Sequence, residues 1–151
     1  MTDDERDIKA TREDLLRFAE DFQPGPPEGP WAEDVTVVIK TFERPRCVSQ
    51  LLRSIRKYFP TIQVLVCDDS RTPLFGDREL PLPGVTWLTL PYELGHVVGA
   101  GRNYLADQVT TPFLFLCDDD HVFTEGTRLD LMHRFLTNSG YDLVAGAQGK
   151  G

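Results

Sequence analysis

From residue 35 onward, apolar positions alternate between unbroken short runs and a helical spacing. Val35–Lys40 reads as a strand. Val48, Leu51, Leu52, Ile55 and Phe59 then recur on one face, which predicts a helix over Arg46–Tyr58. Ile62–Cys67 and Val85–Leu90 read as two further strands, joined by a long loop holding Pro73, Gly76, Pro81, Pro83 and Gly84. A helix over about residues 99–108 leads into Phe113–Cys117, five apolar residues in a row that fit a strand buried on both faces. A last helix, over about residues 126–138, leads to Leu143–Gly146. Strands alternating with helices imply right-handed crossovers, and hence an α/β fold: a mainly parallel sheet with helices on both faces.

Residues 1–34 have a different character. Thr11 can cap a helix, with Asp14 three residues on, and Leu15, Phe18, Ala19 and Phe22 recur at i, i+3, i+4 and i+7. Pro24-Gly-Pro-Pro-Glu-Gly-Pro30 ends that helix and reads as a stiff linker. The expected organisation is an acidic helical appendage over 1–34 and one domain over 35–151. Charge supports the division. Residues 1–34 hold 11 acids and 4 bases, while the remainder holds 13 acids and 12 bases, so a net charge of −8 is concentrated at the amino end. The body is nearly neutral and has no basic stripe, which argues against nucleic acid as a partner. No apolar run approaches the ~20 residues needed to cross a bilayer. Cys47, Cys67 and Cys117 are odd in number and lack a C-x-x-C pair, so neither a disulfide framework nor a zinc site is supported. Cys67 and Cys117 each end an apolar strand and read as small core residues.

The candidate chemistry gathers at the carboxyl ends of the strands, where open α/β sheets bind ligands. Three polar loops follow strands there: Lys40-Thr-Phe-Glu-Arg-Pro45, Cys67-Asp-Asp-Ser70, and Asp118-Asp-Asp-His121. Carboxylates packed this closely raise one another's pKa unless a cation neutralises them, and hard oxygen ligands suit Mg²⁺ or Mn²⁺ shared with a phosphate. A solvated acidic turn is the plain alternative for the triplet. Asp68-Asp-Ser70 alone is as well read as a cap or an Asx-turn. Gly95-His-Val-Val-Gly-Ala-Gly-Arg-Asn103 is a small-residue entry to a helix whose amides can face an anion, or whose glycines let the helix approach the sheet. Arg102 at that helix start is better explained by a carboxylate or phosphate partner.

These segments, in this order, resemble a known family. Val35-Thr-Val-Val-Ile-Lys-Thr-Phe-Glu-Arg-Pro45, Leu52-Arg-Ser-Ile-Arg56, Cys67-Asp-Asp-Ser70, Gly101-Arg-Asn103, Val109-Thr-Thr-Pro-Phe113 and Asp118-Asp-Asp120 are similar to segments of GT-A glycosyltransferases. The likeness is to glycosyltransferase family 2 and its β-1,4-N-acetylgalactosaminyltransferase relatives, over about residues 35–147. The resemblance implies a Rossmann-like nucleotide-binding half and transfer of a sugar, favoured as N-acetylgalactosamine, from a UDP-sugar to a glycan or glycolipid hydroxyl with inversion. It implies that Thr41, Phe42, Glu43 and Arg44 lie against the nucleotide and that Asp69 accepts a hydrogen bond from the uracil ring. Asp118 and Asp119 would contact the ribose or metal-bound water. Asp120, with Asp118, would hold Mn²⁺ or Mg²⁺ beside the diphosphate, and Arg102 would brace the acidic loop or the nucleotide.

Two departures from the family pattern stand out. His121 follows the triplet where an aromatic or apolar residue is usual, and reads as a surface histidine or a spare metal ligand. The family's acceptor half and catalytic base would lie beyond Gly151, so no base is assigned. The competing expectation is a non-catalytic sugar-nucleotide-binding half-domain; in either case the segment is expected to expose an apolar sheet edge and associate with itself. Asp118-Asp-Asp-His-Val122 also fits D-x-D-x-[VT], the nucleophile loop of haloacid dehalogenase-like phosphohydrolases. The resemblance implies the Golgi lumen for a eukaryotic host, and the cytoplasm or inner membrane face for a bacterial one.

Overall fold

The computed structural model describes residues 1–76, 78–80, 82–94, 97–147 and 149. Helix α1, Asp3–Asp21, starts well before the position that apolar spacing suggests. Its cap is Thr2, whose hydroxyl accepts from the Glu5 amide at 3.1 Å while the Glu5 carboxylate accepts from the Thr2 amide at 2.8 Å. Thr11, the expected cap, is buried inside the helix. The first turn carries Asp3, Asp4 and Glu5, favoured at a helix amino end. Its polar residues hid it from a reading that follows apolar positions.

Five strands form one sheet in the order β3-β4-β2-β1-β5: β1 Val35–Thr41, β2 Gln63–Asp68, β3 Arg78–Glu79, β4 Val85–Thr89 and β5 Phe113–Asp118. All neighbours are parallel except the short β3, which runs antiparallel to β4 within the long proline-containing loop. The α/β architecture is therefore the expected one, with β3 the element that its two-residue length concealed. The central strand β1 places Val35, Val37 and Ile39 in one core and Val38 in another, because alternate side chains face opposite sides.

The larger core lies under α1 and α2 (Pro45–Tyr58), and Leu129 of α4 (Leu129–Asn138) joins it. Leu15 is 1% exposed, so α1 is packed into the body. Arg12 also donates from Nε to the Leu74 carbonyl at 2.7 Å. The Pro/Gly segment is fastened too, since Glu28 accepts from the amides of Thr61 at 2.7 Å and Ile62 at 3.2 Å just before β2. Burial pushes the Glu28 carboxyl up, but these bonds and one from the Thr61 hydroxyl outweigh it and hold its pKa below the ordinary value.

The smaller core faces α3, Val98–Gln108, through Leu105, Val38 and Cys67. Here two expectations are corrected. Phe113–Cys117 is not buried on both faces: Phe113 and Phe115 pack inward, while Leu114 is 45% and Leu116 46% exposed. Among the described residues, β5 pairs only with β1 and occupies the sheet edge, and the core that α3 covers takes in none of its residues. Leu143–Gly146 forms no strand, and Leu143 is exposed. Among the described residues, no helix is long and apolar enough to cross a membrane.

Candidate functional site

The chain runs from the central β1 outward to β2 and β4, then returns to β5 on the other side of β1. The strand order therefore reverses between β1 and its flanking strands, and a crevice opens at their carboxyl ends. Thr41 ends β1, and Asp119 directly follows β5. The Thr41 hydroxyl donates to Asp119 Oδ2 at 2.8 Å, and Arg44 Nη1 donates to Asp119 Oδ1 at 3.2 Å. Asp119 is thus the buried member of the triplet, facing the protein.

Its neighbours face outward. Asp118 is exposed and accepts from Arg102 Nη2 at 2.7 Å, while Asp120 lies 3.5 Å from Arg44 Nη1. The His121 amide donates back to the Asp118 carbonyl at 3.4 Å, folding the segment into a turn. That turn brings ligand atoms of Asp118, Asp120 and His121 within 4.8 Å of one another. Two carboxylates and an imidazole suit a divalent cation. His121 is half-buried and lies beside the two carboxylates. Beneath the turn, burial first and the three aspartates second push the Cys117 thiol up to about 12, which keeps it a protonated core residue.

The Asp68-Asp69-Ser70 loop is built for rigidity. Asp68 is buried and accepts from the amides of Ser70 at 3.0 Å and Leu74 at 2.9 Å. Burial raises its pKa above the ordinary value despite those bonds and one from the Ser70 hydroxyl. Ser70 Oγ in turn accepts from the Glu43 amide at 2.7 Å, and Glu43 Oε1 accepts from the Arg71 amide at 2.7 Å. Glu43 holds φ 56°, a left-handed conformation that costs a non-glycine residue energy and is kept here by these cross-loop bonds. Phe42 stacks on Tyr92 with centroids 6.0 Å apart, and the Arg71 guanidinium lies 4.8 Å over the Tyr92 ring.

Asp69 is wholly buried and ion-paired with Lys40, which the sequence placed at the end of β1 without a role. The available signal was a lysine near the end of an otherwise apolar strand, Val35–Lys40, where an unpaired charge would be costly. Gly101 explains the fit: a Cβ there would lie 2.8 Å from Lys40 Cγ and 2.9 Å from Cε. So at Gly101 the glycine serves close approach of helix to strand. Gly95 and His96 lie outside the described residues, as do Gln148, Lys150 and Gly151. Arg102 is the fifth residue of α3, at the start of its second turn.

Two hollows lie among the described residues, one of them beside these groups. A cavity of about 20 Å³, room for roughly one water, is lined by Thr41, Glu43, Arg44, Asp68 and Ser70 with Ile8 of α1. A groove of about 790 Å³ lies at the opposite edge, near Gly29, Glu33, Thr61, Gln63 and Thr111. The larger hollow is at the amino ends of the strands, away from the assembled side chains, so size and chemistry disagree. The chemistry decides in favour of the carboxyl edge.

With the geometry established, comparison with known proteins is informative. The sequence profile of Glycosyl transferase family 2 matches residues 36–150. A β-1,4 N-acetylgalactosaminyltransferase 2 of Mus musculus is 39% identical over 126 residues, covering 83% of this chain and 23% of the relative. The Homo sapiens β-1,4 N-acetylgalactosaminyltransferase 1 is 39% identical over 113 residues, covering 75% and 20%. The chain thus spans about a fifth to a quarter of the length of these relatives. Among solved structures, S. aureus TarS 1-349 aligns with a TM-score of 0.52 at 23% identity, over 66% of this chain and 31% of that one, a likeness of fold.

Proposed function

The chain belongs to glycosyltransferase family 2, and from that premise we propose that it is the donor-binding domain of a metal-dependent, inverting glycosyltransferase. The donor is a UDP-sugar, and the acceptor is a hydroxyl of a glycan or glycolipid. The names of its relatives favour N-acetylgalactosamine as the sugar. One observation carries the reading: Thr41, Arg44, Arg102 and the Asp118–His121 turn meet at the point where strand order reverses. Family membership leaves the phosphohydrolase alternative without support.

In this reading Thr41, Phe42, Glu43 and Arg44 line the nucleotide, and Asp69 accepts from the base. Asp120 and Asp118 hold the cation, with His121 as a third donor. Asp119 works from behind, through Thr41 and Arg44, to keep the turn in place. A divalent ion so held supplies the positive charge that a departing nucleoside diphosphate requires. Arg102 pairs with Asp118 and Arg44 lies near Asp120, contacts that help keep the turn's shape. Leu114 and Leu116 on the β5 edge are the surface through which copies of the chain associate.

Titration calorimetry with UDP tests the central claim. Affinity should rise with Mn²⁺ and fall in excess chelator. Equal affinity under both conditions would remove the metal-dependent reading.

A further inference from the structure

Lys40 is the least expected group at this edge. Its ammonium is bound to Asp69 Oδ1, its side chain is only 8% exposed, and it lies 5.2 Å from the centroid of the Phe42 ring. Gly101 leaves the space its methylenes fill. The other oxygen, Asp69 Oδ2, is buried and has no hydrogen-bond partner among the described residues. A buried carboxylate oxygen without a donor is costly unless a ligand completes it.

We propose that Lys40 is the residue that sets base specificity: it occupies Oδ1 so that Asp69 presents Oδ2 as an obligate acceptor, selecting a base with a ring N–H. This rests on the nucleotide-binding reading above and extends it to a residue that acts through Asp69. An ammonium has three donors and no acceptor, so whatever stands opposite must offer it an oxygen. Uracil has a hydrogen at N3 and satisfies Oδ2; cytosine presents a lone pair at N3 and is repelled by it. Oδ2 is sealed from solvent, so the base reaches it by displacing a covering side chain, and Phe42 is the ring beside the ammonium.

The arrangement has a consequence that simple structural support would not. In Asp69→Asn, Lys40 still demands an oxygen, so the amide must turn its oxygen to Lys40 and its NH₂ to the base. The site then offers a donor, and preference should invert from UDP to CDP. In the double variant Lys40→Met with Asp69→Asn, the amide is free to take either orientation and discrimination should disappear. Gly101→Ala, which crowds Lys40 without touching Asp69, should reduce UDP preference in the otherwise unaltered chain.

The experiment is calorimetric titration of UDP and CDP, each with Mn²⁺, into the full chain and these three variants, with thermal melts to confirm folding. The expected result is at least roughly tenfold preference for UDP, inverted in Asp69→Asn and abolished in the double variant. UDP preference in the unaltered chain that survives unchanged in Asp69→Asn would overturn the role of Lys40 while leaving the nucleotide-binding reading intact. Equal binding of UDP and CDP by the unaltered chain would overturn base selection by Asp69 and this inference with it. Should Asp69→Asn fail to melt cooperatively, Gly101→Ala decides: unchanged discrimination there overturns the proposal.

Discussion

Asp119 and Asp120 are adjacent and chemically identical, yet the structure assigns them opposite sensitivities. Asp119 is 6% exposed and receives two donors, Thr41 Oγ1 and Arg44 Nη1. Replacing it with alanine removes a charge-assisted hydrogen bond and leaves the buried Thr41 hydroxyl unpaired, together about 1.5–2.5 kcal/mol. The Arg44 pair adds little, about 0.5 kcal/mol, because that guanidinium is half exposed and screened. Asp119→Ala should therefore cost about 2–3 kcal/mol in urea unfolding, or roughly 5–10 °C in melting temperature. Asp120 is exposed, and its contact with Arg44 is long, so Asp120→Ala should cost less than about 0.5 kcal/mol. Binding should show the reverse: Asp120→Ala should abolish the Mn²⁺-dependent part of UDP affinity in a calorimetric titration. Asp119→Ala, measured well below its melting temperature, should retain part of it. If Asp120→Ala destabilised the fold as much as Asp119→Ala, or left the Mn²⁺ effect intact, the division of labour argued here would be wrong.

Three further outcomes follow from the geometry. Glu28 has its pKa lowered in the folded state, so its stabilisation is present above the ordinary carboxylate range and is lost as pH falls through the lowered value. Glu28→Gln should lower the melting temperature at pH 7, by about 1 kcal/mol of stability, and the gap should close in acid; a gap independent of pH would refute this. Arg56 is 1% exposed and donates to the carbonyls of Phe59, Ile62 and Pro83, and burial drives its pKa down to about 10. Arg56→Met, which strands three carbonyls, should cost about 3–5 kcal/mol in urea unfolding, and a loss under about 1 kcal/mol would show that water replaces the guanidinium. If the β5 edge drives association, Leu114→Glu with Leu116→Glu should shift sedimentation toward monomer without changing the melting temperature much; an unchanged distribution would move the contact elsewhere.

The sequence by itself determined the alternation of strand and helix, because apolar runs and helical spacing depend only on neighbours along the chain. It also marked the polar loops that follow the strands, since a carboxylate triplet after an apolar run is visible without any fold. It did not determine where α1 begins, because the first turn is held by a capping box of polar residues. Nor did it reveal that β5 is an edge strand, since Phe113–Cys117 is apolar at every position and only the strand order decides which faces are covered. Likewise, three consecutive aspartates carry no mark of which is buried. Asp119 turns inward because parallel pairing of β1 with β5 sets Thr41 beside it, 78 residues away in the chain. Lys40 was the hardest to read. Its partner, Asp69, and the glycine that admits it, Gly101, come from two other elements, and a buried ion pair exists only once all three are brought together.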